Sequence, residues 1–147
     1  MGTKGILGQV QLNDLVVVAD AGVVRVDAVH RRKLGYHRRE TVMAWAWADT
    51  VSALPIDEKF MDANFWERIS ESVYSDGNDG AEVLAMWWSE LCGCEFQLLS
   101  GGKLRIFDHC GTPAYECSEV HRLQNWLRDR GVVKFANSMV AEKQNAL

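Results

Sequence analysis

Apolar and polar positions alternate with a period of two along the N-terminal part of the chain. Leu15–Val18 is an unbroken apolar run rich in β-branched residues, which is typical of a strand buried on both faces. Asp20-Ala21-Gly22 is a turn signal, and in the following segment 23–30 the valines alternate with Arg25 and Asp27. The pattern therefore predicts two antiparallel strands near the N-terminus.

The next apolar segment, residues 41–48, fits both a helix and a strand. As a strand, its methionine and two tryptophans share one face and its alanines share the other. A hairpin that turns at Leu34-Gly35 would pair Val26 with Met43 and bring the large apolar residues of both strands onto one face. Because local and cross-strand patterns then agree, we prefer the strand and predict a β-meander.

Helical spacing follows the meander. Apolar residues step by four within segment 58–74 and predict one helix there: Met61, Phe65, Ile69 and Val73. A second helix is predicted after a loop at 75–80, with Asp79 as its cap and Gly93 at its end. The residues of its apolar stripe are Leu84, Trp87, Trp88 and Leu91.

The C-terminal third combines a hairpin with a helix. Ser100-Gly101-Gly102 separates two apolar segments, 94–99 and 103–108, and predicts a second β-hairpin, with a short strand at 113–117. Ser118 is the expected cap of a last helix that ends before Gly131. Residues 136–147 read as a weak helix or a frayed tail.

These elements predict a single α+β domain over residues 1–147. Its expected architecture is an N-terminal antiparallel β-meander, central helices, a second β-hairpin and a C-terminal helix packed on one sheet face. Hydrophobic residues make up 48% of the 147 residues and charged residues 24%, a balance that argues against disorder. The longest apolar run, 42–48, is too short to cross a bilayer, and no apolar leader is visible, so we expect a cytoplasmic protein without a membrane partner.

Charge is the most informative feature of the composition. The basic segment, residues 30–40, carries five Lys and Arg residues and one acid, a net charge of +4 in a chain of net charge −4. At the tip of the predicted hairpin, Arg31 and Arg38 would lie opposite each other, and an anionic partner would relieve their repulsion. The predicted partner-binding residues of this hairpin, at 30–39, are Arg31, Arg32, Lys33, Tyr36, His37, Arg38 and Arg39.

The partner itself stays open at this point. An acidic protein surface and a nucleic acid both fit a basic hairpin, and a solvated loop without a partner fits it as well. The acidic balance outside the basic segment favours the protein over the nucleic acid. Six tryptophans raise the odds of a binding surface, and we select Trp66 and Trp126 as apolar anchors for a partner or for a homodimer.

Cysteines carry the remaining candidate chemistry. Cys92, Cys94, Cys110 and Cys117 could hold zinc if the second hairpin brings them together, although their spacing departs from that of ordinary zinc modules. Structural thiols are the alternative, and Cys117 is the best candidate nucleophile because it precedes a predicted helix.

Catalytic signatures such as a phosphate-binding loop, a nucleophile elbow or a zinc-protease helix are absent from the sequence. We therefore predict a small non-enzymatic binding protein, a regulator or inhibitor, that works without a cofactor. A nucleic-acid-binding accessory protein is the first alternative. The second is a thiol- or zinc-dependent enzyme centred on the cysteines and histidines between residues 92 and 121.

Overall fold

A computed structural model describes residues 6–72 and 81–141 of the chain. It contains two antiparallel five-stranded sheets and three short α-helices, which confirms the predicted α+β class. The chain divides into two compact units. We call residues 1–54 with 119–147 the split unit, and residues 55–118 the inserted unit. The predicted loop at 75–80 with its cap Asp79 lies outside the described residues, as does the end of the predicted tail, 142–147.

The split unit is built on a five-stranded meander. Its strands are β1 (Leu15–Val18), β2 (Gly22–Val29), β3 (Lys33–Arg39), β4 (Val42–Trp47) and β5 (Val51–Ala53). Their order in the sheet is β4-β3-β2-β1-β5, so β1 pairs with both β2 and β5. A 3₁₀ turn at Ala48–Thr50 joins β4 to β5. The strands predicted at 15–18, 23–30 and 41–48 are confirmed.

The predicted register of the meander is wrong. Leu34 and Gly35 lie inside β3 rather than in a loop, and the β2–β3 connection is formed by residues 30–32. Val26 consequently pairs with Tyr36 and not with Met43. The prediction paired segment 23–30 directly with segment 41–48. In the structure both segments pair instead with β3, whose residues the prediction had divided between the two strands of the hairpin.

The inner face of this sheet carries the core of the split unit. The small alanines of β4, not its large residues, face this core, because Tyr36 and Leu34 of the neighbouring strand fill the space beside them. Leu7, from the 3₁₀ turn Leu7–Gln9, and the following Val10 add apolar side chains to the same cluster. Its buried members are Leu7, Val10, Val16, Val18, Val24, Val26, Leu34, Tyr36, Ala46 and Val51.

Two C-terminal helices complete the split unit. They are α2 (Val120–Asp129), as predicted, and α3 (Val133–Asn137). The residue at the N-cap of α2 is Glu119 rather than the predicted Ser118, and its side chain makes no capping hydrogen bond. The helix ends as predicted, since Gly131 has a φ of +88°, a conformation that glycine adopts without a steric penalty.

Buried polar side chains tie α2 to the first strand. The amide of Gln124 accepts a hydrogen bond from the N–H of Leu15 (2.8 Å) and donates to the carbonyl of Ala136 (2.9 Å). The guanidinium of Arg128 donates to the carboxylate of buried Asp14 at 2.6 Å. Burial raises the pKa of Asp14, while this hydrogen bond and a backbone N–H act in the opposite direction.

The inserted unit holds the second sheet, which is also a meander. Helix α1 (Glu58–Asn64) precedes it, and the strand order is β10-β9-β8-β7-β6. The strands are β6 (Arg68–Ile69), β7 (Val83–Ser89), β8 (Cys94–Leu99), β9 (Leu104–Phe107) and β10 (Pro113–Cys117). The predicted hairpin at 100–102 and the strand at 113–117 are confirmed.

Two helix predictions in the inserted unit are wrong. The helix predicted over 58–74 ends at Asn64, because Arg68 and Ile69 pair with β7. The helix predicted after Asp79 is strand β7, whose Ala85 and Trp87 are buried while Leu84 is exposed. Pairing with the fully buried strand β8 overrides the helical spacing of these apolar residues.

In the described part of the chain, no helix is long and apolar enough to span a membrane.

Candidate partner-binding surface

Three large apolar side chains of β4 form an exposed stripe on the outer face of the split unit's sheet. Met43, Trp45 and Trp47 keep 39%, 45% and 61% of their surface exposed. Side chains alternate along a strand, so these three residues share the face opposite the buried Ala46. We call them the tryptophan stripe. Clustered exposed aromatic residues of this kind mark interaction sites more often than scattered single residues do.

Side chains of the basic segment lie against the tryptophan stripe. The ammonium of Lys33 is 4.8 Å from the ring centroid of Trp45 and 5.8 Å from that of Trp47, within cation–π range. The ring of His30 meets Trp45 edge-on with centroids 5.1 Å apart. These contacts order the exposed rings, so a partner would meet a partly preorganised surface.

Gly35 explains how the stripe lies so close to the sheet. It pairs with Trp45 across β3 and β4, and a Cβ atom at this position would stand 2.8 Å from the Cε of Met43 and 3.1 Å from Trp45 Cζ3. The absence of a side chain therefore lets the methionine and the indole rest directly on the backbone of β3.

The arginines of the basic segment divide between the two ends of β3. Arg31 and Arg32 lie in the loop that precedes the strand, whereas Arg38 and Arg39 end it. At ~3.4 Å per residue, Arg32 and Arg38 are about 20 Å apart along the strand. The predicted opposition of Arg31 and Arg38 across a hairpin is therefore wrong, because it depended on the wrong turn. Positive charge flanks the tryptophan stripe at both ends instead of gathering at a tip.

These four arginines differ from the other described arginines in their surroundings. Arg31, Arg32, Arg38 and Arg39 make no side-chain hydrogen bond or ion pair with any residue in the described part of the chain. Elsewhere the guanidinium groups are engaged with carboxylate or carbonyl oxygens or, at Arg130, with an indole ring. The engaged arginines are Arg25, Arg68, Arg105, Arg122, Arg128 and Arg130.

Net charge divides along the boundary between the two units. The split unit contains 12 Lys and Arg against 8 Asp and Glu, a net charge of +4, and the basic segment accounts for all of it. The inserted unit contains 4 against 12, a net charge of −8. The acidic balance that was counted against a nucleic-acid partner therefore belongs to the inserted unit, and the unit that carries the tryptophan stripe is basic.

The two remaining residues that were predicted to bind a partner, Tyr36 and His37, differ in exposure. Tyr36 is buried among the core residues of the split unit, so its predicted contact with a partner is wrong. His37 is exposed on the outer face beside Met43, and its Nδ1 lies 2.5 Å from a carboxylate oxygen of Asp27. The carboxylate of Asp27 is thus already engaged with a side chain of the same sheet.

The tryptophans selected from the sequence lie elsewhere. Trp66 follows α1 in the inserted unit and is 85% exposed. Trp126 lies on α2, half-buried, with the guanidinium of Arg130 4.8 Å from its ring. Their role as anchors stays a prediction. Sequence reasoning missed Trp45 and Trp47 as surface residues, because the alternation of alanine with large side chains separates the two faces of β4 but does not say which face is buried.

The candidate zinc ligands do not converge. Cys94 is buried and its Sγ lies 3.4 Å from the carbonyl of Cys92, whereas Cys110 is exposed in the turn between β9 and β10. Buried Cys117 ends β10, three residues before α2 begins, so it does not occupy the helix N-terminus. Across residues 6–72 and 81–141, no three His, Cys, Asp or Glu side chains are arranged to hold a metal ion.

A buried polar cluster inside the inserted unit is the other arrangement that the sequence did not indicate. The carboxylate of Glu95 accepts hydrogen bonds from Ser72 (2.5 Å) and from the amide of Gln97 (2.8 Å). Arg105, which pairs with Gln97 across β8 and β9, donates to Glu116 at 2.9 Å. The Gln97–Glu95 bond lies within β8, the Ser72–Glu95 bond joins β8 to the segment after β6, and the Arg105–Glu116 bond joins β9 to β10. The side-chain oxygen of Gln97 is buried without a hydrogen-bond partner among the described residues.

Comparison of the chain with protein family models, with curated proteins and with solved structures finds no match, so a proposal for its function rests on its own residues.

Proposed function

We propose that this protein is a non-enzymatic regulator or inhibitor that docks on an acidic protein surface through the outer face of β3 and β4. The observation that carries the proposal is the combination of an exposed tryptophan stripe with four unengaged arginines, two at each end of β3. Aromatic side chains and arginine are the residues most enriched at the energetic centres of protein interfaces.

Charge complementarity specifies the partner. Arginine forks bind carboxylates in bidentate geometry, and both pairs of guanidinium groups lack a described carboxylate of their own. A partner with acidic groups about 20 Å apart, on either side of an apolar patch, would satisfy both pairs at once while covering the indoles. An apolar centre with charged groups at its rim is the usual layout of a protein interface.

Photocrosslinking from within the stripe tests the proposal. Trp47 is replaced by benzoylphenylalanine, the chain is expressed in its source organism, and the adduct is identified by mass spectrometry. The identified partner is then purified, and its binding is titrated with two variants of equal charge change. One variant replaces Arg31, Arg32, Arg38 and Arg39 by serine. The control replaces Lys59, Lys103, Arg122 and Arg130 by serine.

We expect a saturable protein partner whose affinity falls at least a hundredfold with the first variant and less than threefold with the control. Equal losses with both variants would mean that only net charge matters. Unchanged affinity with both would refute docking through the basic segment. A crosslinked nucleic acid would instead support the nucleic-acid alternative. In that case the affinity of the protein for many nucleic-acid sequences should fall steeply as the salt concentration rises.

A further inference from the structure

Strand β4 leaves one edge of its sheet unpaired. It is the terminal strand in the order β4-β3-β2-β1-β5, and no described strand pairs with its other side. Its sequence, Val42–Trp47, contains no charge and no proline, although proteins commonly use such residues to protect an exposed edge. An apolar edge of this length is either an aggregation hazard or a place where another strand adds.

The hydrogen-bonding pattern shows which backbone groups face that edge. The N–H of Ala48 donates to the carbonyl of Arg32 at 2.8 Å, which makes these two residues a hydrogen-bonded pair. Hydrogen-bonded pairs alternate in an antiparallel ladder, so Ala46 and Ala44 also bond to β3. The residues of the tryptophan stripe alternate with these alanines, so their N–H and C=O groups point away from β3 toward the open edge. The C=O of Trp47 accepts a hydrogen bond from the hydroxyl of Thr50 at 2.7 Å.

The same three residues thus present both their side chains and their backbone groups to a partner. We infer that β4 accepts an extended acidic peptide segment as an added strand, with backbone hydrogen bonds to Met43 and Trp45 and to the N–H of Trp47. This inference rests on the proposed function and specifies how its partner binds. Added strands obtain affinity from main-chain hydrogen bonds and specificity from alternate side chains.

Charge selects an acidic segment over a second copy of this chain. An extended strand of about six or seven residues spans the ~20 Å between the arginine pairs, so acidic residues at its two ends would meet both pairs. Two copies paired through β4 would instead bring two basic segments, each of net charge +4, into one continuous sheet. The two β3 strands, with the arginines at their ends, would then lie about 14 Å apart, and the repulsion between two basic segments would oppose such a pairing.

A synthetic heptapeptide tests the inference. The probe is fluorescein-labelled acetyl-Asp-Glu-Val-Thr-Val-Glu-Asp-amide, and its binding to the full chain is followed by fluorescence anisotropy. The matched control has the same side chains but carries N-methyl groups on two adjacent central residues, which blocks both edges of the peptide. We expect saturable binding of the probe and at least tenfold weaker binding of the methylated control.

Two protein variants provide the reciprocal test. Trp45→Val and Trp45→Pro both remove the indole, but only proline removes the outward N–H, and an edge strand tolerates proline at such a position. We expect Trp45→Pro to bind the probe at least tenfold more weakly than Trp45→Val. Far-UV circular dichroism of both variants reports whether the sheet persists. If Trp45→Pro unfolds, the methylated peptide alone decides the question.

The outcomes separate this inference from the proposed function. Equal binding of methylated and unmethylated peptides, with weaker binding of both to the Arg→Ser variant, would overturn strand addition and leave docking by charge intact. Absence of peptide binding would also overturn the inference, while the crosslinking experiment judges the proposed function independently. A dimer in sedimentation analysis that Trp45→Pro abolishes would assign the edge to a second copy and overturn the acidic segment.

Discussion

Gln124 offers the most direct test of how the split unit is held together. Its side chain is fully buried, accepts a hydrogen bond from the N–H of Leu15 at 2.8 Å and donates to the carbonyls of Ala136 (2.9 Å) and Asn13 (3.1 Å). The change Gln124→Met keeps nearly the same volume, so it removes these hydrogen bonds without opening a large cavity.

The cost follows from the groups that the change leaves behind. The N–H of Leu15, a residue with no exposed surface, would lose its acceptor, at a cost of about 1–3 kcal/mol for an unsatisfied buried donor. Each of the two carbonyls would lose a hydrogen bond whose net contribution is ~1 kcal/mol, although Asn13 also accepts one from Arg25. We therefore expect the free energy of unfolding to fall by about 2–4 kcal/mol.

Urea unfolding followed by tryptophan fluorescence and by circular dichroism measures this loss. If the two units unfold in separate transitions, the loss should appear in the transition of the split unit. The control is Gln11→Met, which makes the same chemical change at an exposed position and should change stability by less than ~0.5 kcal/mol. A loss at Gln124 no larger than that of the control would refute the role assigned to this side chain.

Three further predictions concern pH, thiol chemistry and the stripe. Burial, opposed by the charge of Glu119, lowers the pKa of His121, so the unfolded chain binds a proton below pH ~6.5 that the folded chain does not. Stability should then fall by up to ~1.4 kcal/mol per pH unit as the pH drops below that value, and the slope should disappear from denaturation curves of His121→Gln. Cys110 is exposed and the other three cysteines are buried, so a disulfide reagent should label Cys110 alone in the native protein and all four cysteines in urea. Rapid labelling of more than one cysteine in the native protein would contradict the described burial. Gly35→Ala should displace Met43 from the sheet and weaken binding of the acidic heptapeptide at least fivefold, while the melting temperature stays within a few degrees of that of the parent. Unchanged affinity would show that the close packing of the tryptophan stripe on β3 does not matter for binding.

The elements that the sequence predicts well are those whose local signals agree with their packing. Segment 120–129 combines an apolar stripe with a glycine stop, and the hairpin at 100–102 has two consecutive glycines with φ above +90°. The strand at 83–89 was mistaken for a helix because its tryptophans also satisfy helical spacing, and only its neighbour β8 decides between the two.

The candidate surface was predicted in part for a related reason. Charge can be counted along a sequence, so the arginines of the basic segment were identified at once. Which face of a strand is buried depends on register, and a turn placed at Leu34-Gly35 moved Trp45 and Trp47 to the wrong side. The open edge of β4 is a property of strand order, which no single segment encodes.

The interrupted sequence of the split unit has a consequence for synthesis. The hydrogen bonds from Arg128 to Asp14 and from Leu15 to Gln124 cannot form until the ribosome has added the 64 residues of the inserted unit, Pro55–Ser118. At roughly 5–20 residues per second the delay is about 3–13 s. During that interval the first meander has emerged without the helix that supplies its buried polar partners. The inserted unit, whose residues are contiguous, is free to fold first, and the beginning of the chain reaches its final structure only after the end of the chain has been made.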